Sequence, residues 1–568
     1  MLKLIPNVKN IEYTKGYLNS NRILPFSGQV DDRIKIQLKK LPNGENGIPL
    51  EILIGKGCLE GYRLEINEDK ICIEAESEKG VFYAVQTLRQ IFEQSNDKIP
   101  CVIIQDEPDF SHRGFYHDIT RGKIPTLSTL KNLVDTLAYY KYNSLQLYVE
   151  HVFEFKETQN IIKRTGCITK EELIELDEYC KQNYIDFIPS LSTFGHMYEI
   201  LEQDEYRHLN VLSNYQPLSN KWSARQMHHT IDPRNPQSIE LVKSLIDQYI
   251  DCFTSKYFNI CCDETFDLKK ECGEEEKELY IDFVKKIISH VKSKGKTVMM
   301  WADILLAYPE TITQLPEDVV FLNWDYRPEP ELENVEKLND LGRTQIVCPG
   351  TWSWNNFCEN ILDGEPNICK MAEYGSANNA DGMIVTNWGD YNNICSLELS
   401  YFGLVLGAEK SWNPNALINQ NFYQTVDSVL YKFDGACKYV RELVEIQEGV
   451  SWTDICYMQY QLSIGETYDK RADLNDLVIK EKLVKAKDFI QRLSKENWEE
   501  KGIKEQLIIA CKGIIMLILT NAKLAGKKVD FEFDLFAWLK DYSNDWLIKN
   551  KPSELYRIEQ FVKDVFEG

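Results

Sequence analysis

The sequence is short of positive charge. Its 568 residues include 65 lysines and arginines against 88 aspartates and glutamates, which gives a formal net charge of −23 at pH 7. No cluster of basic residues is large enough to offset this acidic field, so the composition argues against nucleic acids and anionic membranes as partners. A neutral or cationic ligand suits such a surface better.

Secretion and zinc-site signals are also missing. The amino-terminal segment MLKLIPNVKN lacks the apolar run of roughly 7–15 residues that marks a secretion signal, so we expect a cytoplasmic protein. The 16 cysteines are irregularly spaced, without the pair of pairs typical of zinc sites, and we interpret them as reduced, mostly buried thiols. Residues 506–526 are apolar but contain Lys512 and Lys523, so we expect a buried helix and no membrane insertion.

The pattern of residues changes twice along the chain. Residues 1–112 combine alternating strand-like runs with the helical periodicity of GVFYAVQTLRQIFEQ (80–94), which predicts an α+β domain. No proline occurs from 415 to 551, and amphipathic stretches such as 475–493 dominate there, so we predict a helical domain over 416–568. Residues 113–415 remain as a central domain.

The central domain contains eight short apolar runs rich in β-branched and aromatic residues, separated by lengths that can hold a helix and a return loop. One separator, TKEELIELDEYCKQNY (169–184), has Thr169 and Glu172 at capping-box spacing. Eight strand–helix units predict an α/β fold built on a closed (β/α)8 TIM barrel, whose chemistry lies at the carboxyl ends of the strands. The runs are RGFYHDIT (113–120), NSLQLYVE (143–150), DFIPSLS (186–192), YFNICCDE (257–264), KTVMMWAD (296–303), VVFLNWDY (319–326), QIVCPGTW (345–352) and GMIVTNWGD (382–390).

Two adjacent acids, Asp263 and Glu264, end the fourth run. An isolated pair of this kind often caps a helix, because carboxylates accept hydrogen bonds from free N–H groups. Here the pair lies at the predicted barrel mouth among other polar strand ends. Neighbouring residues that leave a strand point to different sides, which allows two different roles, and we predict that the pair is catalytic.

Tryptophans are concentrated on the same predicted rim. An aromatic-walled pocket suits a pyranose, whose apolar faces stack on indole rings while its hydroxyls need carboxylates and guanidinium groups. We therefore predict a sugar ligand. The tryptophans at strand ends are Trp301, Trp324, Trp352, Trp354 and Trp388, and the candidate hydrogen-bonding residues are Asp118, Arg121, Asp303, Asn355 and Asp390.

The motifs RGFYHDITRG (113–122), LQLYVEH (145–151), IPSLSTFGHM (188–197), CCDETFDL (261–268) and WGD (388–390) resemble those of glycoside hydrolase family 20, the β-N-acetylhexosaminidases. The likeness covers about residues 1–415 and is greatest to bacterial three-domain exo-β-N-acetylglucosaminidases. It implies an exo-acting hydrolase of oligosaccharides or glycoconjugates with a terminal, non-reducing, β-linked N-acetylglucosamine, with N-acetylgalactosamine as a second candidate. It implies no cofactor and no metal.

The resemblance also implies a retaining, substrate-assisted mechanism, in which the 2-acetamido oxygen attacks the anomeric carbon and forms an oxazolinium ion. Glu264 would protonate the leaving oxygen and then activate water, while Asp263 would orient and stabilise the acetamido group. Arg121 matches the arginine that binds the 3- and 4-hydroxyls, and Asp390 matches a partner acid. The other matched positions are His196 near the acid/base, Trp301 and Trp324 around the acetamido methyl group, and Trp388 at the pocket floor.

Three departures from the family pattern stand out. Cys261 and Cys262 replace small residues before the acid pair, and we interpret them as barrel filling rather than as a redox switch. At the end of the second strand, many family members have an aspartate that braces the histidine corresponding to His196. This chain has Glu150 there, and Glu150 is our candidate for that role. The tyrosine expected to bind the acetamido oxygen is not evident in TWSWNNF (351–357), where Trp352 and Trp354 are substrate-binding candidates. Tyr326, Tyr391 or an indole N–H could replace it.

Three alternatives remain open at this point. A retaining glycosidase could use Asp303 or Asp390 as its own nucleophile, with Glu264 as acid. A metal-dependent barrel hydrolase could use the imidazoles of His228 and His229. A sugar-binding barrel without catalysis is the third. The sequence also leaves the oligomeric state open, with a homodimer as one candidate.

Overall fold

The amino-terminal part of the computed structural model is a five-stranded sheet. The model describes the whole chain except residues 1, 21, 56, 58, 96–97, 216–228, 464–473 and 568. The strands of the sheet are β1 Asn10–Leu18, β2 Leu50–Ile54, β3 Tyr62–Ile66, β4 Ile71–Ala75 and β5 Ile99–Asp106, and a short helix spans Asp32–Leu38. The sheet order is β1-β5-β3-β4-β2, and β3 and β4 form an antiparallel hairpin. The helix Glu78–Glu93, capped by the Ser77 hydroxyl, packs against β3 and β4.

The next eight strands are all parallel and close into a barrel, which confirms the predicted fold class. They are β6 His112–Asp118, β7 Ser144–Val149, β8 Asp186–Leu191, β9 Tyr257–Asn259, β10 Thr297–Trp301, β11 Val320–Trp324, β12 Gln345–Cys348 and β13 Gly382–Asn387. Each overlaps one of the eight predicted runs. Most strand residues are buried, as expected for parallel strands covered by helices, and β7 is buried along its whole length.

Helices connect consecutive barrel strands. The predicted capping box is present, because Thr169 and Glu172 exchange side-chain and main-chain hydrogen bonds at the start of one of them. The α-helices of this part are Leu127–Tyr139, Gln159–Thr165, Lys170–Gln182, Tyr198–Leu201, Pro236–Ile250, Phe266–Cys272, Glu276–Ser293, Asp303–Ala307, Pro309–Ile312, Glu333–Asp340, Ile361–Ala377 and Tyr401–Trp412.

The carboxyl-terminal part is helical. The apolar stretch predicted as a buried helix belongs to Lys501–Leu524, which is long and apolar enough to cross a membrane but has 67% of its apolar window buried inside the protein. It packs against the helices that precede and follow it. The helices are Gln420–Val429, Ala436–Gln447, Trp452–Ser463, Asp476–Lys495, Lys501–Leu524, Leu535–Lys549 and Leu555–Glu567. All 15 described cysteines of the chain are free thiols, and all but three are buried.

The helical part contacts the rim of the barrel directly. The main-chain N–H of Trp452 donates to the carbonyl of Asn355 (2.9 Å), in the loop that follows β12. Near the end of the chain, the N–H groups of Lys551 and Glu554 donate to the carbonyls of Ile124 (2.8 Å) and Gly122 (3.3 Å), in the loop that follows β6. These bonds place the helical part beside the carboxyl ends of the strands.

Candidate active site

The acid pair lies where the fourth barrel strand stops. The backbone has positive φ at Cys261 (56°), Cys262 (66°) and Glu264 (49°), a conformation that is uncommon for residues with side chains and concentrates at functional sites. The main-chain N–H of Glu264 donates to Asp303 Oδ2 (3.0 Å), which fixes this turn. The helix that follows has Thr265 at its N-cap, so the two carboxylates do not cap it and instead line a cavity.

His196 joins the two carboxylates. Its Nε2 lies 3.3 Å from Asp263 Oδ2 and 3.3 Å from Glu264 Oε2. Burial of the imidazole opposes protonation, but the adjacent carboxylates outweigh it and raise the pKa of His196 to about 10. Gly195 is needed for this approach, because a Cβ atom there would lie 2.5 Å from the carbonyl oxygen of Asp263. The result is an imidazolium shared by two acids.

Asp303 lies directly behind the pair. It does not line the cavity and is half-buried, with its Oδ1 atom shielded from solvent. Burial and then the negative charges of Asp263 and Glu264 raise its pKa. Its structural role is to hold the Glu264 backbone.

His196 and the two acids of the pair also have the spacing of a metal site. The ligand-type atoms of His196, Asp263 and Glu264 lie within 4.8 Å of one another, close enough to hold an ion or to share protons. The sequence offers two other residues, His228 and His229, as metal ligands. His228 lies outside the described residues, and His229 does not line the cavity but packs edge-on against Tyr215, with ring centroids 4.4 Å apart.

Arg121 is the centre of a second polar group, across the cavity. Its Nη1 donates to Asp390 Oδ1 (3.0 Å), its Nη2 to the Tyr148 hydroxyl (3.4 Å) and its Nε to Glu150 Oε1 (3.4 Å). The guanidinium also lies over the rings of Tyr148 and Trp388, 5.0 and 5.2 Å from their centroids. Such a held guanidinium can bind two neighbouring hydroxyls in a fixed direction.

Asp118 and Glu150 hold this group in place. Asp118 accepts the N–H of Arg121 (3.1 Å) and of Gly389 (3.0 Å), so it both orients Arg121 and ties the end of β13 to β6. Burial disfavours ionisation of Glu150, but hydrogen bonding to His151 and the charges of Arg121 and His196 lower its pKa to about 2. Glu150 thus links the arginine electrostatically to His196, the residue that we expected it to brace.

Aromatic rings form the walls and floor. Trp388 lies between the rings of Tyr148 and Trp301, with centroids 5.1 and 5.8 Å away, and its Nε1 donates to the Tyr326 hydroxyl (2.7 Å). Tyr326 stacks on Trp324 at 5.1 Å with an interplanar angle of 17°. The cavity is open to solvent on one side and has a volume of about 310 Å³. The lining consists of Arg121, Glu150, His196, Tyr198, Asp263, Glu264, Trp301, Trp324, Tyr326, Trp354, Asn355, Trp388, Asp390, Tyr391 and Thr453.

All predicted catalytic and sugar-binding residues line this cavity except Asp118, Asp303 and Trp352. Asp118 and Asp303 instead accept the main-chain N–H groups of Arg121 and Glu264. The indole N–H of Trp352 donates to the carbonyl of Tyr326 (2.6 Å) while its ring stacks on Trp354 at 5.1 Å. Trp352 supports the wall from behind because the chain turns at its positive φ of 56°. Tyr198 and Thr453 were missed. Tyr198 follows the His196 motif closely enough to be suspected, whereas nothing in the sequence connects Thr453, in the helical part, with the barrel.

Comparison with known proteins identifies a family for most of this structure. Residues 110–401 match the model of the glycosyl hydrolase family 20 catalytic domain, which is more than half of the chain. Residues 28–107 match the model of domain 2 of the same family.

Two curated relatives show similarity over about half of the chain. A β-hexosaminidase from Akkermansia muciniphila is 24% identical over 332 residues, which are 52% of this chain and 65% of that protein. A lacto-N-biosidase from Bifidobacterium bifidum is 25% identical over 283 residues, which are 47% of this chain and 24% of that protein. The chain therefore spans less than two thirds of the length of these relatives.

Solved structures share the fold. An exo-β-N-acetylglucosaminidase from Vibrio harveyi, in complex with N-acetylglucosamine, has a TM-score of 0.60 at 18% identity over 75% of both chains. A chitobiase from Flavobacterium johnsoniae has a TM-score of 0.62 at 18% identity and covers 99% of both chains.

Proposed function

Because the chain belongs to glycosyl hydrolase family 20, we propose that it is an exo-acting β-N-acetylhexosaminidase that removes a terminal, non-reducing N-acetylglucosamine, and also accepts N-acetylgalactosamine, from oligosaccharides or glycoconjugates. The observation that carries this proposal is the pair of adjacent carboxylates held 3.3 Å from one imidazole at the side of an aromatic cavity. Two acids on one side of the sugar fit a reaction in which the substrate supplies its own nucleophile.

In the proposed reaction the two acids have different tasks. Glu264, the more exposed of the pair with 28% of its side chain accessible, donates a proton to the leaving oxygen and later takes one from water. Asp263, with 10% accessible, accepts the acetamido N–H and stabilises the positive charge of the oxazolinium ion. Water then opens this ring, and the sugar is released with retained configuration.

The opposite end of the cavity fits the hydroxyls of a terminal sugar. Arg121 and Asp390 together offer donors and acceptors for the 3- and 4-hydroxyls, and the Trp388 ring offers a face for the pyranose. Tyr326 is our candidate for the acetamido oxygen, because its hydroxyl accepts from Trp388 and lies close enough to Asp263 for that charge to act on it.

A nucleophilic carboxylate from the protein is less well supported. Asp303 does not line the cavity and is bonded to the Glu264 backbone. Asp390 does line it, but Arg121 and Asn355 hold its two oxygens, at 3.0 and 3.1 Å. Asp303 is therefore outside the cavity, and Asp390 is engaged with the residues proposed to bind the sugar hydroxyls, so we favour the acetamido group of the substrate as the nucleophile.

Hydrolysis of chromogenic β-N-acetylglucosaminides and β-N-acetylgalactosaminides tests the proposal. We expect turnover that persists in EDTA and is blocked by a thiazoline mimic of the cyclised acetamido group. Absence of turnover would favour a sugar-binding protein, and loss of activity in EDTA with recovery on adding a divalent metal would favour a metal-dependent hydrolase. The cytoplasmic location and the oligomeric state stay predictions.

A further inference from the structure

A second cavity adjoins the first. It has a volume of about 460 Å³ and lies between the loop after β12 and the turn 447–454 of the helical part. The two cavities share Trp354, Asn355 and Thr453 as lining residues. Since the first cavity, at about 310 Å³, is proposed to hold one hexosamine, the second is large enough for another sugar residue.

Hydrogen bonds across the cavity fix the distance between its two walls. In addition to the bond from Trp452 to Asn355, the N–H of Phe357 donates to Gln447 Oε1 (2.9 Å). Gln447 Nε2 in turn donates to the carbonyl of Cys358 (3.2 Å). The cavity is therefore a preformed space between the barrel and the helical part, as most small-ligand sites are.

The lining has the chemistry of a carbohydrate site. Trp352 and Trp354 stack with centroids 5.1 Å apart and offer an aromatic wall. Asn356 and Asn360 add amide groups, whose Nδ2 atoms also donate within the protein to the carbonyl of Trp354 (3.1 Å) and to Asp363 Oδ2 (2.7 Å). Glu448 and two aspartates add acceptors, and no lysine, arginine or histidine occurs among the described lining residues. A neutral, hydroxyl-rich group suits this lining, whereas an anionic group would meet like charge.

The position of the cavity indicates which part of a substrate enters it. Neither Asp263 nor Glu264 lines it, so it does not adjoin the leaving group. It adjoins Asn355, whose Nδ2 donates to Asp390 Oδ2 (3.1 Å), and Asp390 pairs with Arg121. In the proposed function C1 carries the scissile bond, the C2 substituent meets Asp263, and the 3- and 4-hydroxyls meet Arg121 and Asp390. Only the substituent on C6 remains to reach the second cavity.

We propose that the second cavity binds a neutral sugar residue linked to the 6-hydroxyl of the hexosamine that occupies the first cavity. The inference rests on the proposed function. Water adds across the C1–oxygen bond of the hexosamine as before, the leaving alcohol takes a proton, and the linkage at oxygen 6 stays intact. The enzyme then releases a disaccharide as well as the single sugar.

Three aryl β-N-acetylglucosaminides test this inference with the wild-type chain: one unsubstituted, one with galactose on oxygen 6, and one with sulfate on oxygen 6. We expect kcat/KM for the galactosylated substrate within tenfold of the unsubstituted one, with the intact disaccharide as product, and a loss of more than a hundredfold for the sulfated one. A loss of more than tenfold for the galactosylated substrate would overturn the inference. If the unsubstituted substrate is not cleaved either, the proposed function itself fails.

Substitutions of Leu362 test whether the galactose on oxygen 6 lies in the second cavity. Leu362 lines the second cavity and is exposed, with a relative accessibility of 37%, so Leu362→Trp should fill space without touching the acid pair. We expect it to lower kcat/KM tenfold or more for the galactosylated substrate and less than twofold for the unsubstituted one, with Leu362→Ala as the control. An equal loss on both, or a selective loss on a substrate extended on the leaving-group side such as an N-acetylglucosamine disaccharide, would contradict the assignment.

A charge change gives a second readout that does not depend on a bulky residue. Glu448 is exposed at the cavity wall, and Glu448→Lys should raise the sulfated to unsubstituted kcat/KM ratio at least fivefold, while Glu448→Gln raises it less. An unchanged ratio in both variants would show that the substituent lies elsewhere.

Discussion

At the scale of single residues, the chemistry depends on two neighbouring acids that one imidazole holds together. Glu264 and Asp263 both lie 3.3 Å from His196 but have different tasks in the proposed reaction, in which Glu264 transfers a proton and Asp263 stabilises positive charge. Three substitutions separate these roles.

Glu264→Gln should lose about 10²–10⁴-fold in kcat on substrates with poor leaving groups, because the amide cannot donate the proton in the transition state. The loss should be much smaller for an activated aryl leaving group. Steady-state rates on a series of leaving groups check this, with the exposed Glu278→Gln as the matched control. Near-normal rates on poor leaving groups would contradict the acid/base role.

Asp263→Asn should depress kcat more than it raises KM. The carboxylate stabilises a positive charge that is greatest in the transition state, whereas the bound substrate is neutral. Steady-state kinetics separate the two constants, and the exposed Asp282→Asn serves as control. A change confined to KM would assign Asp263 to binding alone.

His196→Gln should shift the pH–rate profile to higher pH. The imidazolium, whose pKa is raised to about 10, stabilises negative charge on the adjacent carboxylates, and the neutral amide of glutamine does not. Without that positive charge, the ionisations that limit activity should occur at higher pH, so both limbs of the profile should move upward. A profile of kcat/KM between pH 4 and 9 that keeps its midpoints would show that the imidazole does not set these charges.

The acid pair, Arg121 and most of the tryptophans could be predicted from sequence because each follows a recognisable strand end. The supporting residues could not. Trp352 has the same local signal as Trp354, but the turn between them sends only one indole into the cavity. Thr453 reaches the site through packing of a distant helix, which no local pattern encodes.

At the scale of elements, the loop after β12 is anchored by a buried acid. Glu359 accepts the N–H groups of Phe402 and Gly403, both at 2.8 Å, at the start of the last barrel helix. Burial raises the pKa of Glu359 from 4.5 to about 8, although the two N–H donors oppose this shift. The folded protein therefore holds this proton over a range where the unfolded chain has lost it.

Glu359→Gln should change how stability depends on pH. The proton on Glu359 favours the folded state fully below pH 4.5, and this advantage is lost as the pH rises towards 8. The wild type should exceed the variant in unfolding free energy by more at pH 5 than at pH 8. Urea unfolding at several pH values measures the difference, and parallel curves for the two proteins would refute the explanation.

The eight strands could be predicted because alternating or continuous apolar runs have few other structures available to them. The residues at which these strands end were predicted less accurately. The run 257–264 contains a strand of only three residues, Tyr257–Asn259, because the chain leaves the extended conformation at Cys261 and Cys262. Such positive φ values at non-glycine residues depend on tertiary contacts, among them the Asn259 side chain that accepts the N–H of Cys261 (2.9 Å).

At the scale of the whole molecule, the end of the chain stabilises the loop that carries Arg121. Besides the main-chain bonds to Gly122 and Ile124, the Lys551 ammonium binds Glu172 Oε2 and the carbonyl of Cys167, both at 2.6 Å. The carboxyl-terminal helices are thus part of the site's framework.

Removal of residues 549–568 should lower both thermal stability and substrate affinity. The loop around Gly122 loses its partners, so Arg121 is held less firmly and the hydroxyls of the substrate are bound less well. We expect a lower unfolding temperature and a KM raised several-fold, measured by calorimetry and steady-state kinetics. Lys551→Ala, which removes only the ammonium, should show a smaller effect in the same direction. Unchanged KM in the shortened chain would show that the loop is stable alone.

The central claim is that the acetamido group of the substrate makes the first bond to C1. The most direct test compares kcat/KM for an aryl β-N-acetylglucosaminide and for the matching aryl β-glucoside, which lacks that group. A nucleophile that is already positioned within the substrate reacts as a free nucleophile would at a concentration of about 10⁵ M or more in favourable cases. We therefore predict that kcat/KM for the glucoside is lower by at least about 10³-fold. Comparable rates for the two substrates, or a covalent sugar ester trapped on a carboxylate of the protein, would contradict the account.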